Sequence, residues 1–180
     1  MMIRGFHVAL ILGAVALSLA ACGQADTTAG QQPATVASSK VDATFIDTAG
    51  KLGLAEARLS QLAATTAADP ATRDFATKVA ADQATVDPQL AALAQDQGMA
   101  PPSDLDADNE TLYRRLQTLH GPAFDRAYMA GQLRDLTMLI EAYQSEADSG
   151  KIPQFRSFAE KYLPMTQQHL QLALAVPADQ

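Results

Sequence analysis

Four residues with acid–base or ligand chemistry recur where the surrounding pattern calls for oil: Glu56, Asp82, Asp135 and His169. Each falls on a helical stripe whose other members are apolar, so each is expected inside a core. Carboxylates and one imidazole form a donor set for a single divalent metal. The plainer chemistry is a hydrogen-bonded polar layer, in which Tyr128 and Tyr162 on the same stripes donate to the carboxylates or the imidazole. Such layers also set helix register. Di-iron bundles use two Glu-x-x-His repeats. This chain has none, and no Asp-x-x-His: Thr85 follows Asp82 by three residues and Thr166 precedes His169 by three. The polar layer is the favoured expectation. A single metal on Glu56, Asp82 and His169, with Asp135 as a further ligand, is the alternative. No other cofactor is implied.

Other chemistries lack their residues. There is no Cys-x-x-Cys-His for covalent haem, no nucleophile elbow, no P-loop and no Gly-rich dinucleotide turn. Haem held by His169 and a Met would have no Met to draw on in the first helix. His120, beside Gly121-Pro122, reads as a C-terminal cap for a short helix rather than a base. No catalytic motif is present, and no enzymatic activity is expected.

The elements that must position these residues are helices. The composition is rich in Ala, Leu and Gln and has no Trp, which favours helix over strand. The first helix is expected over residues 42–67, with Phe45, Ala49, Leu52, Glu56, Leu59 and Ala63 on one face. Asp69-Pro70 restarts the chain, as a cap followed by a first-turn proline. The second helix then runs to about residue 97, with Phe75, Val79, Asp82, Val86, Leu90 and Leu93 inward and Pro88 as a kink. Gly98 ends it, and Pro101-Pro102 is a loop. A short helix over about 106–119 follows. The third long helix spans about 122–148, with Phe124, Tyr128, Gly131, Asp135, Met138 and Ala142 on one face and Leu133, Leu136, Ile140 and Tyr143 on a second. The fourth begins near Pro153 and carries Phe155, Phe158, Tyr162, Met165, His169, Leu172 and Val176, with a bend at Pro164. No repeat of solenoid length is evident. Two hairpins of long amphipathic helices bury their stripes most economically as an all-α, antiparallel four-helix bundle with an extra short helix between helices 2 and 3.

Axial position tests whether the polar residues meet. Glu56 lies 12 residues before Ala68 and Asp82 lies 14 after it, which places them within roughly 3 Å of one level. Asp135 and His169 differ by roughly one helical turn about Gly150.

The N-terminal segment predicts an address. Arg4 supplies a basic start, and Val8 to Ala21 is apolar or small but shorter than the roughly 20 residues a spanning helix needs. Leu19-Ala20-Ala21-Cys22 resembles the bacterial lipobox, which implies cleavage after residue 21 and diacylglycerol on Cys22. Cys22 is the only cysteine, so no disulfide can form within the chain. Gly23 stands where an Asp would favour inner-membrane retention, so an outer-membrane lipoprotein with its domain in the periplasm is expected. Residues 22–40 hold the lipidated Cys and a polar tether, with a reach on the order of 25 Å. The folded domain is expected over 41–177. The mature chain has 12 basic and 20 acidic residues, so nucleic acid is not an expected partner. The membrane, reached through lipid, is.

Several blocks carry a family resemblance: Gly53-Leu54-Ala55-Glu56, Phe75-Ala76, Ala81-Asp82, Gly121-Pro122-Ala123-Phe124-Asp125-Arg126-Ala127-Tyr128-Met129, and Leu163-Pro164 with His169-Leu170. From Phe45 to about Val176 the chain resembles family 4142 of bacterial domains of unknown function. These are exported, ferritin-like proteins often labelled as outer-membrane proteins. The resemblance implies histidines directly after the aspartate of the second helix and in the third helix. Gln83 and Leu136 stand there instead, and His169 alone remains of that set. The expected role is a non-enzymatic structural, binding or stress-related one, with a degenerate ferritin-like metal-binding or redox protein as the alternative.

Overall fold

Local capping chemistry sets the helix starts in the computed structural model, which describes residues 38–177. The expected signal peptide, the lipid site at Cys22 and most of the tether lie outside the described residues. Ser39 and Asp42 form a capping box that opens α1, Lys40–Thr66, so residues 39 and 40 belong to the fold. Asp69 accepts from the Thr72 N–H at 2.8 Å, with Pro70 in the first turn, to open α2, Pro70–Asp96. Asp106 caps α3, Ala107–Leu116. Gly121, at φ 55°, turns the chain into α4, Pro122–Ser149, a conformation that suits glycine. Ile152 and Pro153 start α5, Pro153–Ala175. The helices α2 and α5 continue through Pro88 and Pro164. Among the described residues the structure is all-helical, and no helix is long and apolar enough to cross a membrane.

The hairpins α1–α2 and α4–α5 pack side by side through α1 on α4 and α2 on α5, while α3 lies on α4 and the edge of α1. Hydrogen bonds from the turns set the directions. Asp42, at the start of α1, accepts from the Lys151 and Ile152 N–H groups at 2.8 and 2.9 Å, in the α4–α5 turn. Asp125, in the first turn of α4, accepts from the Ala68 and Asp69 N–H groups, both at 2.9 Å, in the α1–α2 turn. The start of each of these helices therefore lies at the end of the other, and every long helix is antiparallel to its neighbours. The connection bearing α3 must run the length of the bundle.

The two hairpins are built alike. Asp42 and Asp125 are 83 residues apart, and the same offset relates Pro70 to Pro153, Arg73 to Arg156, Phe75 to Phe158 and Ala76 to Ala159. The arginines also act alike. Arg73 Nη1 donates to the Ala67 and Ala68 carbonyls, and Arg156 Nη1 donates to those of Gly150 and Lys151. These are orphan carbonyls at a helix end, where a cation is favoured.

Two apolar clusters fill the interior. One, around Phe45, Tyr143, Phe155 and Phe158, occupies the end where α1 begins. The other, around Leu59, Phe75, Phe124 and Tyr128, occupies the opposite end. The inward faces differ in phase from the periodicity. On α2 the buried series is Phe75, Val79, Gln83, Val86 and Leu90, so Gln83 rather than Asp82 points in. Leu139 is buried on α4, whereas Met138 is 45% exposed. Thr166 and Ala173 replace Met165 and Leu172 on α5. The steps of three and four can alternate in either order, and the choice rests on which neighbours pack. His120 is exposed and lies beyond α3, which ends at Leu116, so it does not cap that helix.

Candidate functional site

A polar seam separates the two apolar clusters. It receives Glu56 from α1, Gln83 from α2, Gln132 and Asp135 from α4, and Thr166 and His169 from α5, all buried. The ends of the bundle hold the large side chains, so its middle is where short or polar residues are accommodated.

Glu56 is the most isolated of the set. Its side chain is 1% exposed, and neither carboxyl oxygen has a hydrogen-bond partner. Burial pushes its pKa well above the carboxylate range, and the charges of Asp135 and Asp87 push it further. These surroundings favour its neutral form. Gln132 is fully buried with neither amide atom partnered. No protein group reaches these atoms, and a buried polar group left without a partner is costly.

Asp135 anchors a chain of polar groups that leads outward. Its Oδ1 accepts from Arg134 at 2.8 Å, Arg134 Nη2 donates to Asn109 Oδ1 at 2.6 Å, and Asn109 Nδ2 donates to the α3 cap Asp106 at 2.9 Å. Asp135 Oδ2 has no partner. Burial raises the Asp135 pKa despite the opposing bond from Arg134. These residues line an open cleft of about 400 Å³ between α1, α3 and α4.

His169 is buried, and its Nε2 lies 2.7 Å from Asp82 Oδ2. Asp82 also accepts from Lys78 Nζ at 2.9 Å and has a side chain 27% exposed. Burial pushes the His169 pKa down, against the raising effect of Asp82. Burial also works to raise Asp82, but the bonds from Lys78 and His169 outweigh it and its pKa falls. A neutral imidazole against an ionised carboxylate must donate its Nε2–H.

The expected ligand set is therefore not assembled. Only Asp82 and His169 meet, at the α2–α5 edge, while Glu56 faces the seam and Asp135 is turned to Arg134. Among the described residues no group of three or more His, Cys, Asp or Glu side chains is placed to hold a metal ion. The expected tyrosine partners are also different: Tyr128 pairs with Ser60 at 2.8 Å, and Tyr162 donates to Gln89 Oε1 at 2.7 Å. The axial estimate fares better. A Cβ on Gly53 would stand 2.5 Å from Asp87 Oδ1 and 3.5 Å from Gln83 Nε2, so this part of α1 lies level with residues 83–87. Periodicity missed Gln83, Asp87 and Gln132. Gly53, 15 residues before Ala68, stands opposite Gln83, 15 after it, and that small residue was the available signal.

The two positions at which the resemblance implies histidine, Gln83 and Leu136, are 3% and 0% exposed and face inward. A family model described as "Domain of unknown function (DUF4142)" matches residues 27–176. The chain belongs to the DUF4142 family. No curated protein and no solved structure matches it. Within this DUF4142 chain, an amide and an isobutyl group occupy those two inward positions.

Proposed function

We propose that this DUF4142 protein is a lipid-anchored envelope protein with a non-enzymatic structural, binding or stress-related role. Its helices form a ferritin-like bundle held in the periplasm by lipid on Cys22 at the outer membrane. The observation that carries the reading is the run Leu19-Ala20-Ala21-Cys22, followed by a polar segment that ends at the Ser39 cap of α1. The long connection bearing α3, which returns the chain to the far end of the bundle, supports the ferritin-like assignment. The state of the polar side chains supports a non-catalytic role. Glu56 is sealed from solvent, His169 is committed to Asp82, and the Ser60 hydroxyl is committed to Tyr128. Intact-mass measurement on membrane-extracted protein tests the anchor. The expected mass begins at Cys22 and includes acyl chains, and Cys22→Ser abolishes membrane association. An unmodified Cys22 in the wild type overturns the proposal.

A degenerate metal-binding protein is the second reading, favoured by the partnerless Glu56 and Gln132. Elemental analysis of natively purified protein separates the two. Stoichiometric transition metal would establish the second reading.

A further inference from the structure

Outside the seam, a cavity of about 230 Å³ lies between α1, α2 and the loop that follows α2. Its walls are apolar, from Ile46, Leu54, Leu90, Ala91 and Pro102, and Asp87 is the one charged residue among them. The Asp87 carboxyl has no hydrogen bond and no ion pair, and burial alone raises its pKa to about 7. Two glycines on one face of α1 make room for this arrangement. A Cβ on Gly50 would stand 2.7 Å from Pro102 Cδ, and one on Gly53 would stand 2.5 Å from Asp87 Oδ1. The proline ring and the carboxyl can thus approach the α1 backbone directly. A carboxyl placed in an apolar recess without a donor is costly to folding. A recess of this kind with one perturbed polar group is the usual form of a small-molecule site.

We propose that this cavity binds a small amphipathic amine, with its ammonium on the Asp87 carboxylate and its apolar body against Ile46, Leu54, Leu90 and Pro102. A carboxylate only accepts hydrogen bonds, and no protein cation reaches this one, so the complementary group is a cationic donor. The apolar walls require that the rest of the ligand be apolar. That excludes phosphoethanolamine-type head groups, whose phosphate would meet hydrocarbon, and the carboxylate excludes anions. Size is also informative: a cavity of about 150 Å³ accommodates benzene, so this one has room for an aromatic ring with a short chain. Glu56 from α1 and Tyr143 from α4 are the titratable groups that sense Asp87, and burial raises both of their pKa values. Neither supplies a competing cation, and no other charged residue of α2 or the loop lines the cavity.

Calorimetric titration of the full chain with 2-phenylethylamine and with its neutral isostere 2-phenylethanol tests the assignment. At pH 8 the amine should bind about tenfold or more tightly than the alcohol, as expected for a charge-assisted bond. Below pH 7 the amine must displace a proton from Asp87, so its affinity should fall by about tenfold per pH unit. Asp87→Asn should remove both the preference and the pH dependence. Ala91→Leu, which narrows the cavity and leaves the carboxyl, should weaken both ligands, with circular dichroism confirming that each variant is folded. Equal binding of amine and alcohol by the wild type, no binding of either, or a preference that survives Asp87→Asn would overturn the assignment.

Discussion

Asp42 and Asp125 each reach from the first turn of their own helix to hold two backbone N–H groups in the turn of the opposite hairpin. The pair ties the hairpins together at both ends of the bundle. Each aspartate satisfies backbone donors at the start of a helix that have no partner within their own hairpin.

Asn substitution at either position keeps the shape and removes the charge. Asp42→Asn and Asp125→Asn should each lower unfolding free energy by about 1–3 kcal/mol, the range for charge-assisted bonds to backbone N–H groups. Urea denaturation measures this. Hydrogen exchange should quicken at Lys151 and Ile152 in the first variant and at Ala68 and Asp69 in the second. Exchange that quickens only within the mutated helix would show that the hairpins are not coupled through these side chains.

Acid should act through the same group. Burial works to raise Asp42, but hydrogen bonds from Ile152, Ser39 and Lys151 win and lower its pKa from 3.8 to about 2. A lowered carboxylate contributes stability that is fully present above its unfolded pKa and is lost as pH falls through the folded one. The loss should span pH 3.8 to 2 and amount to about 2 kcal/mol. In Asp42→Asn, stability should decline less steeply over that window. A variant with an unchanged acid profile would rule this out.

Above that window the sign reverses. Burial raises Glu56 well above 4.5, Asp87 from 3.8 to about 7, and Glu146 from 4.5 to about 7, the last assisted by Asp42. A raised carboxyl contributes stability below its unfolded pKa and loses it as pH rises toward the folded one. His169, lowered by burial, opposes this by losing stability as pH falls below 6.5. Asp135 is raised by burial as well, and four carboxyls against one imidazole should leave the protein more stable at pH 5 than at pH 8, by several kcal/mol. Glu56→Gln should flatten the profile. A urea midpoint that is higher at pH 8 would contradict the neutral state of these acids.

The Asp82–His169 contact predicts a tautomer. Nitrogen NMR should find His169 protonated at Nε2 and still neutral somewhat below pH 6.5. Asp82→Asn should release that tautomer preference and lower the histidine pKa further, because the carboxylate is what raises it. An imidazolium signal at pH 7 in the wild type would refute the assignment.

Restoring the imidazoles tests why a ligand set is missing. Gln83→His with Leu136→His places two imidazoles on buried positions, one in the seam that holds Glu56 and one in the apolar cluster around Leu59 and Tyr128. Zinc or iron should then raise the melting temperature of the double variant by several degrees, and of the wild type much less. Metal stabilisation of equal size in both proteins would mean that the wild-type seam already holds the ion.

The sequence alone determined the helices and the hairpin pairing, because these depend on neighbours in the chain. Asp69-Pro70, Gly121-Pro122 and Pro153 mark helix starts within a residue or two, whereas the Ser39 cap fell within the expected tether. It also set the level of Glu56 against the second helix, since equal distances from a turn convert directly to equal heights. Tertiary structure decided which face of each helix turned in. Val79 can be followed inward by Asp82 or by Gln83, and packing chose Gln83, which sent Asp82 to the α2–α5 edge and to His169. The same limit applies to Asp87, whose carboxyl packs against α1 because Gly53 there leaves room for it. It applies also to Asp42 and Asp125, whose partners lie more than fifty residues away. Helical periodicity is a property of one helix, whereas rotation about its axis is settled by the helices packed against it.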